Sequence, residues 1–360
     1  MEDYRNEFAK VDAASVSPAE YEAMKAAAMK KERTELFTNA SLLAILLLLY
    51  NVFIVMYKRV YWLAAYTVYS GKVSLDIGQA VDYFDTTAPK VTSSTGFLMT
   101  GAVFNVLISG LSIFIIGQFL MKIKLSDLFK PQKGFAADGL KYFPAQLTFN
   151  HFASVLMLIL SNALMEEGIT LPESDFSMDS PTKYEILIEF VYLCIAGPIV
   201  EEFIYRGLCI KLLSPFGSGL AIAFSSVSFG LMHGNLKQAV PAMLGGVVYA
   251  LVAVKYKSIL PSILIHILNN IVSSVSDFGS VLGWSNTGTI SNAIFIVMLF
   301  IGFYGVIVLF VELAERIYNE EPECVMPAGK RFLAVGTNIF CVIYFIYLIK
   351  EIVDKIIQAN

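Results

Sequence analysis

The chain has 360 residues, of which 56% are hydrophobic and 16% are charged, and its mean hydropathy is +0.65. This composition is too apolar for a soluble domain and predicts an all-α fold, a polytopic integral membrane helical bundle. The net charge is −4, and the basic residues form no patch with aromatic residues, which excludes nucleic-acid binding. The four cysteines form no C-x-x-C pair, so neither a disulfide framework nor a zinc ribbon is indicated.

Residues 1–36 predict a cytoplasmic N-terminal tail with an amphipathic helix. Ser17, Pro18 and Glu20 have the spacing of a helix N-cap, a first-turn proline and the reciprocal acid of a capping box. The apolar positions of this helix are mostly alanines, which favours a solvated helix over one embedded in the lipid surface. The apolar run that follows is long enough to span a bilayer and is expected to serve as the insertion signal.

Apolar stretches near 20 residues long predict eight or nine transmembrane helices in three regions. N-terminal transmembrane helices and loops occupy 37–183, a catalytic core occupies 184–276, and C-terminal transmembrane helices occupy 277–360. The three shortest stretches lie in the core and are expected to be incomplete spans that line a cavity. The nine predicted spans are 37–57, 96–121, 144–165, 185–211, 218–233, 239–254, 259–275, 292–314 and 332–350.

The distribution of positive charge predicts how the chain is oriented. If the N-terminus is cytoplasmic, 18 of the 26 Lys and Arg residues fall in inside segments and 8 in outside segments. Cytoplasmic loops of membrane proteins carry the excess of Lys and Arg, so this split favours a cytoplasmic N-terminus.

Three charged residues, Glu201, Glu202 and Arg206, interrupt the apolar run that begins near residue 186. Each charge at the centre of a spanning helix costs roughly 2.5–3.5 kcal/mol on insertion scales, so these residues need partners or a function. Glu202 and Arg206 are four residues apart and can form an ion pair on one helix face. Glu201 lies about 100° round the helix and is free to act as a base. Pro198, just upstream, is expected to kink the helix and open a cleft.

Two histidines lie in other apolar runs, so they are candidates for the same site. His266 and Asn270 are four residues apart and present two neutral donors toward one point, the arrangement that an oxyanion needs. Asn269 lies on the other side of His266 and is expected to affect stability rather than rate. His233 is then expected to lie opposite and to share a water molecule with Glu201, because a Glu–His pair can activate water for attack on an amide carbonyl.

These residues resemble the motifs of a known family. Glu201-Glu202-x-x-x-Arg206, Phe229-x-x-x-His233 and His266-x-x-x-Asn270, in this order, are similar to the motifs of the CPBP family of intramembrane proteases. This family includes CAAX prenyl proteases and bacterial relatives tied to bacteriocin processing and self-immunity. The resemblance covers about 185–275. It implies a helical membrane fold with an intramembrane cavity and an endopeptidase in which Glu201 and His233 activate water.

The resemblance also assigns the remaining motif residues. It implies that His266 and Asn270 form the oxyanion site and that Glu202 and Arg206 support the catalytic residues. The implied enzyme is a glutamic-type peptidase without a cofactor, and its substrate is a peptide or a lipidated peptide that meets it among membrane lipids. A bacterial plasma membrane is the expected location, with the endoplasmic reticulum membrane as the alternative.

Two functions of other classes fit the same residues. A zinc-dependent membrane metalloprotease would use Glu201, His233 and His266 as ligands, although the chain has no H-E-x-x-H motif. A non-catalytic bacteriocin-immunity or scaffold protein would keep the fold and bind a peptide or a partner membrane protein. Chelator sensitivity separates the two proteases, and loss of activity in a Glu201→Ala variant separates both proteases from a scaffold.

Overall fold

The computed structural model consists of helices and the turns that connect them, and the residues that it describes contain no strand. It therefore confirms the predicted all-α fold. Parts of the predicted N-terminal tail and of the loop that follows residue 166 lie outside the described residues. The structure describes residues 16–121, 124–131, 134–172, 182–275, 278–279, 282–319 and 324–360.

Helix α1, Pro18–Ser70, is 53 residues long. It begins with the predicted capping box, because the Ser17 hydroxyl accepts a hydrogen bond from the Glu20 N–H and the Glu20 side chain bonds back to Ser17. The helix then continues without a break through residue 36, where the sequence suggested that a separate tail ends. Gly71, at φ 70°, ends it in the left-handed conformation that glycine adopts readily.

The rest of the chain forms fourteen further α-helical segments among the described residues. The long ones are α4, α6, α11, α13 and α15, and several short helices connect or interrupt them. In chain order they are α2 (Ile77–Thr86), α3 (Pro89–Thr92), α4 (Thr95–Met121), α5 (Leu125–Leu128), α6 (Phe135–Glu166), α7 (Lys183–Phe190), α8 (Gly197–Glu202), α9 (Cys209–Leu213), α10 (Ser218–Leu231), α11 (Leu236–Tyr256), α12 (Leu260–Ser273), α13 (Thr287–Asn319), α14 (Ala328–Gly336) and α15 (Ile339–Gln358).

The predicted span 185–211 is a helix interrupted twice by π-helical turns. Val191–Ala196 separates α7 from α8, and Phe203–Leu208 separates α8 from α9. Pro198 lies in the first turn of α8, directly after the first π-helical turn, where its missing N–H removes a helix hydrogen bond. The break in the helix therefore occurs where the Gly197-Pro198 pair predicted a kink. Such π-helical turns are frequent at functional sites.

The sequence predicts eight or nine spans, but fewer of the described helices are long and apolar enough to cross a membrane alone. Five described helices are long and apolar enough, and the count becomes six if α14 and α15, which are bent by 67°, are taken as one span. The difference arises in the core region. The segment that contains Glu201 is split into short helices, and α10 and α12 have only 14 residues each. At 1.5 Å per residue, these two helices reach about 21 Å, which is less than the hydrocarbon thickness.

The ends of α15 identify the two faces of the bundle. At its start, the Asn338 side-chain amide donates to the Phe37 carbonyl of α1 at 3.1 Å. At its end, the Thr170 N–H donates to the Asn360 side chain at 2.7 Å, and Thr170 follows the end of α6. We call the side on which α1 begins the N-terminal face and the side that contains Asn360 the C-terminal face.

Candidate active site

A cavity of about 510 Å³ lies among α6, α7, α8, α11 and α12. It contains every residue that the sequence placed in the reaction centre, together with polar side chains that no motif indicated. Its described lining includes Gln146, Asn150, Ser154, Glu189, Leu193, Glu201, Phe229, His233, Lys237, Tyr249, His266, Asn269, Asn270 and Ser273. A larger hollow of about 640 Å³, lined by Lys211 and Lys257 near the N-terminal face, contains neither Glu201 nor the two histidines.

Glu201 and Glu202 differ in their access to the cavity. The Glu201 side chain is 20% exposed, whereas the Glu202 side chain is fully buried. Glu202 Oε1 is 3.0 Å from an Arg206 guanidinium nitrogen, which is the predicted ion pair, and it is also 3.0 Å from His266 Nδ1. Glu202 therefore joins Arg206 to His266, a contact that the spacing of the motifs did not predict. Glu201 is left as the carboxylate that faces the cavity.

Arg206 is held in an aromatic enclosure beneath the cavity. Its Nη2 donates to the Gly246 carbonyl at 3.1 Å, and its guanidinium lies 4.2 Å from the ring centroid of Phe229 and 5.1 Å from that of Tyr249. A Cβ atom added at Gly246 would lie 3.0 Å from Nη2, so glycine allows the guanidinium to approach this carbonyl. Cation–π contacts and the Glu202 carboxylate together stabilise a charge that would be costly alone in this core.

His266 lies between the two carboxylates. Its Nδ1 faces Glu202, and its Nε2 lies 3.7 Å from Glu201 Oε2, which is beyond hydrogen-bond distance but leaves room for a reacting group. The Tyr249 ring stacks on the imidazole at 4.8 Å, and the Phe229 ring meets it edge-on at 5.5 Å. Because an ionised Glu202 can only accept, the bond at 3.0 Å requires a proton on Nδ1. Packing and hydrogen bonding thus hold the ring with Nε2 toward the cavity.

His233 follows the end of α10 and lines the same cavity. Its Nδ1 is 2.9 Å from the Phe229 carbonyl, one helical turn earlier, so the second ring nitrogen is available to the cavity when Nδ1 carries the proton. The Phe229 ring separates the two histidines and packs edge-on against both, at 5.2 Å from His233 and 5.5 Å from His266. Phe229 therefore sets the spacing between the two imidazoles.

Asn270 lines the cavity and repairs the helix break caused by Pro198. In the π-helical turn the Gly197 N–H bonds to the Tyr192 carbonyl, and Pro198 has no N–H, so the Leu193 carbonyl lacks a helical partner. The Asn270 side-chain amide donates to this carbonyl at 2.7 Å. An amide NH2 group has two donors, so the second N–H is still available to a substrate.

A relay of amides that the sequence analysis missed holds Asn270. Gln146 and Asn150 of α6 donate to Asn269 Oδ1 at 3.0 and 3.3 Å, and Asn269 in turn donates to Asn270 Oδ1 at 2.9 Å. Asn269 also lines the cavity, although the helix geometry suggested that only Asn270 would do so. One signal was present in the sequence: Gln146 and Asn150 are polar residues four apart in an apolar span, where polar side chains usually need partners.

The structure therefore gathers the four predicted catalytic residues, Glu201, His233, His266 and Asn270, around one cavity. The predicted supporting pair, Glu202 and Arg206, lies directly beneath. In the part of the chain that the structure describes, no three His, Cys, Asp or Glu side chains are grouped as ligands for a metal ion. The cofactor of the reaction, none or zinc, stays a prediction.

The helical membrane fold and this cavity define a class of polytopic membrane protein with a polar cavity inside its helix bundle. Residues 183–272 match the family model described as Type II CAAX prenyl endopeptidase Rce1-like. This segment, 90 of the 360 residues, is thus similar to the CAAX prenyl endopeptidases, as its motifs indicated, and a family of this kind implies peptidase activity in a membrane. No curated protein and no solved structure matches the chain. Gln146 and Asn150 lie outside the matched segment.

Proposed function

We propose that this protein is an intramembrane endopeptidase that hydrolyses a peptide or a lipidated peptide with a water molecule activated by Glu201 and His233. The observation that carries the proposal is the contrast between the two glutamates. Glu201 faces the cavity, whereas the Glu202 carboxylate contacts Arg206 and His266. A base must be open to water and substrate, and Glu201 meets this requirement.

In the proposed reaction, the oxygen of water forms a bond to the carbonyl carbon of the scissile peptide while Glu201 takes a proton from that water. His233 orients the same water through its free ring nitrogen. The C–N bond then breaks, and the proton held by Glu201 passes to the departing amine. Atoms and charges balance without any other reactant, and no covalent enzyme intermediate forms.

Asn270 and His266 are proposed to bind the oxyanion that develops on the carbonyl oxygen. Because the His266 Nδ1 proton is donated to Glu202, Nε2 can donate only when the ring is an imidazolium. The role of the buried Glu202 in this scheme is to orient His266 through the contact with its Nδ1.

The direct test is incubation of the purified full-length protein with candidate peptides, with and without a prenylated cysteine, followed by mass spectrometry of the products. Cleavage by the wild type and its loss in Glu201→Gln are expected. Cleavage of prenylated peptides alone would define the substrate as lipidated. Equal cleavage by Glu201→Gln would refute the mechanism, and the absence of cleavage of any peptide would favour the scaffold function.

The same assay separates the water mechanism from the zinc alternative. Activity in o-phenanthroline or EDTA should equal activity in buffer, and elemental analysis should find no stoichiometric zinc. A metal content near one per chain that falls together with activity in Glu201→Ala and His266→Ala would establish the zinc enzyme instead. We further propose a bacterial plasma membrane, with the N-terminus in the cytoplasm, as the site of action.

A further inference from the structure

We infer that the protein binds an anionic phospholipid in an apolar hollow between α1 and α14. The hollow has a volume of about 520 Å³ and shares no lining residue with the cavity that contains Glu201. The inference does not depend on the proposed peptidase activity. The described lining of the hollow consists of Met29, Lys30, Arg33, Met326, Lys330, Leu333, Ala334 and Thr337.

The hollow lies at the level where the chain leaves the hydrocarbon region. The predicted span of α1 starts at residue 37, one helical turn after Arg33. Helix α15 starts beside it, because the Asn338 side-chain amide donates to the Phe37 carbonyl at 3.1 Å. Helix α14 comes directly before α15 and is bent from it by 67°. The residues of α1 and α14 that line the hollow therefore lie next to the start of two spans, where lipid headgroups are found.

Three basic side chains surround the hollow without acidic partners. Lys30 and Arg33 are three residues apart on one face of α1, and Lys330 lies in the first turn of α14. All three are exposed, and within the described ranges none of them forms an ion pair. The first turn of α14 adds partial positive charge, because Pro327 gives it no side-chain cap. Like charges around one hollow repel one another, so a phosphate bound between them is favoured.

Glu32 holds one wall of the hollow in place. Its side chain is fully buried, and its Oε2 accepts hydrogen bonds from the Val325 and Met326 N–H groups, both at 2.8 Å. Arg331 of α14 donates to the Phe216 carbonyl at 2.6 Å. The charge of Glu32 is thus directed at the backbone of this segment, and the hollow is formed by buried contacts as well as by exposed side chains.

The apolar part of the lining favours a lipid over a soluble phosphate. Met29, Met326, Leu333 and Ala334 have no group that could bind an anion, yet they form half of the described lining. Leu333 and the neighbouring Phe332 are also exposed, as expected for a helix that lies along a membrane surface. A phospholipid would place its phosphate beside the basic residues and the first part of an acyl chain against the apolar ones. Basic residues at this level attract lipids of net negative charge.

Native mass spectrometry of the purified full-length protein, released from detergent, tests the binding. Three probes are titrated: phosphatidylglycerol, phosphatidylcholine with the same acyl chains, and glycerol phosphate, which has no acyl chain. Phosphatidylglycerol should bind more tightly than phosphatidylcholine, and glycerol phosphate should bind more weakly than either lipid. Equal affinity for the two lipids would overturn recognition of the anionic headgroup. Equal affinity for phosphatidylglycerol and glycerol phosphate would overturn the lipid and indicate a site for soluble anions.

Two triple variants test where the lipid binds. The first removes the basic residues of the hollow, Lys30→Gln, Arg33→Gln and Lys330→Gln. The control removes three exposed basic residues outside it, Lys130→Gln, Lys211→Gln and Lys257→Gln. Because a basic residue near a membrane surface contributes about fivefold to the affinity for anionic lipid, the first variant should bind phosphatidylglycerol about 100-fold more weakly. The control should bind it as the wild type does, and equal weakening of the two variants would overturn the site.

Leu333→Asp tests the apolar wall while keeping the three basic residues. Leu333 is 64% exposed, so the fold should tolerate the change, which thermal unfolding without added lipid checks. A carboxylate at this position repels the phosphate and is unfavourable next to an acyl chain, so the affinity for phosphatidylglycerol should fall. Leu333→Met is the matched control and should retain it. Wild-type affinity in a folded Leu333→Asp variant would overturn the placement of the lipid in this hollow.

Discussion

Glu201 and Glu202 are adjacent in the chain but belong to two different regions of the molecule. Glu201 faces an open polar cavity, whereas Glu202 is buried against Arg206 and His266, and the Phe229 and Tyr249 rings pack on those two partners. Two side chains of the same type, one residue apart, thus have different environments. The comparison teaches that access to water, rather than residue type, separates a residue suited to catalysis from one that positions it.

The largest difference between the two regions should appear in the rate of cleavage. Glu201→Gln removes the proposed base while keeping the shape of the side chain, and His233→Ala removes the group that orients the water. Each should lower kcat by about 10²–10⁴-fold. Because Glu201 is partly exposed and glutamine keeps the shape of its side chain, its replacement should leave the melting temperature close to that of the wild type. Turnover near the wild-type value in either variant would rule out this water mechanism.

Glu202→Ala should differ from Glu201→Gln in that it greatly lowers the stability of the fold. It leaves the Arg206 charge buried without its carboxylate, which typically costs about 3–5 kcal/mol. Thermal unfolding of the purified protein in detergent measures the loss. The matched control is the pair Glu202→Gln and Arg206→Met in one chain, in which no unpaired buried charge remains and part of the stability should return. An unchanged melting temperature in Glu202→Ala would mean that the pair is solvated.

Asn270→Ala tests the cavity region through its proposed oxyanion donor. Removal of one preorganised donor usually lowers kcat by about 10²–10³-fold, and KM should change little because the oxyanion exists only in the transition state. Steady-state kinetics with one peptide substrate give both parameters. Asn270 also satisfies the Leu193 carbonyl, so the melting temperature is measured in parallel. A loss confined to KM would remove Asn270 from the oxyanion site.

The two regions also differ in how far the sequence predicts them. The open cavity is predicted well, because a charged or imidazole side chain in an apolar run is costly and therefore informative. Glu201, His233 and His266 were found in this way, Asn270 was found by its spacing from His266, and the four side chains line one cavity. Hydropathy likewise indicated the helical membrane fold. It overestimated the number of spans, because it measures apolar length and does not detect the π-helical turns that divide the segment around Glu201.

The buried region around Glu202 was predicted only in part. The spacing of four residues gave the Glu202–Arg206 pair, but the bond from Glu202 to His266 joins segments 64 residues apart and leaves no local pattern. The same is true of the Asn270 bond to Leu193. That carbonyl lacks a helical partner because Pro198, five residues later, has no N–H. Which carbonyl a proline leaves unbonded can be identified only when the geometry of the helix is known.

Gln146 and Asn269 should give the smallest effect, since they act on the reaction only through Asn270. Gln146 donates to Asn269 Oδ1, and Asn269 holds the Asn270 amide with its NH2 group toward Leu193. Side-chain hydrogen bonds within membranes contribute about 0.6–1.7 kcal/mol, so Gln146→Leu should lower kcat by about 3- to 17-fold at most. KM should stay constant, because the ground-state contacts of the substrate do not change. Asn269→Ala, which loses all three hydrogen bonds of the relay, should lower kcat more than Gln146→Leu does and less than Asn270→Ala does.

Ser154→Ala is the matched control for this relay. Ser154 is on the same helix and lines the same cavity, but its hydroxyl donates to the backbone carbonyl of Asn150 in its own helix and, among the described residues, it takes no part in the relay, so its removal should leave kcat unchanged. If Gln146→Leu lowers the melting temperature but not kcat, the relay is structural, and the earlier expectation that Asn269 affects stability alone would hold. If kcat falls in order from Gln146→Leu through Asn269→Ala to Asn270→Ala, a helix outside the matched family segment positions the oxyanion donor.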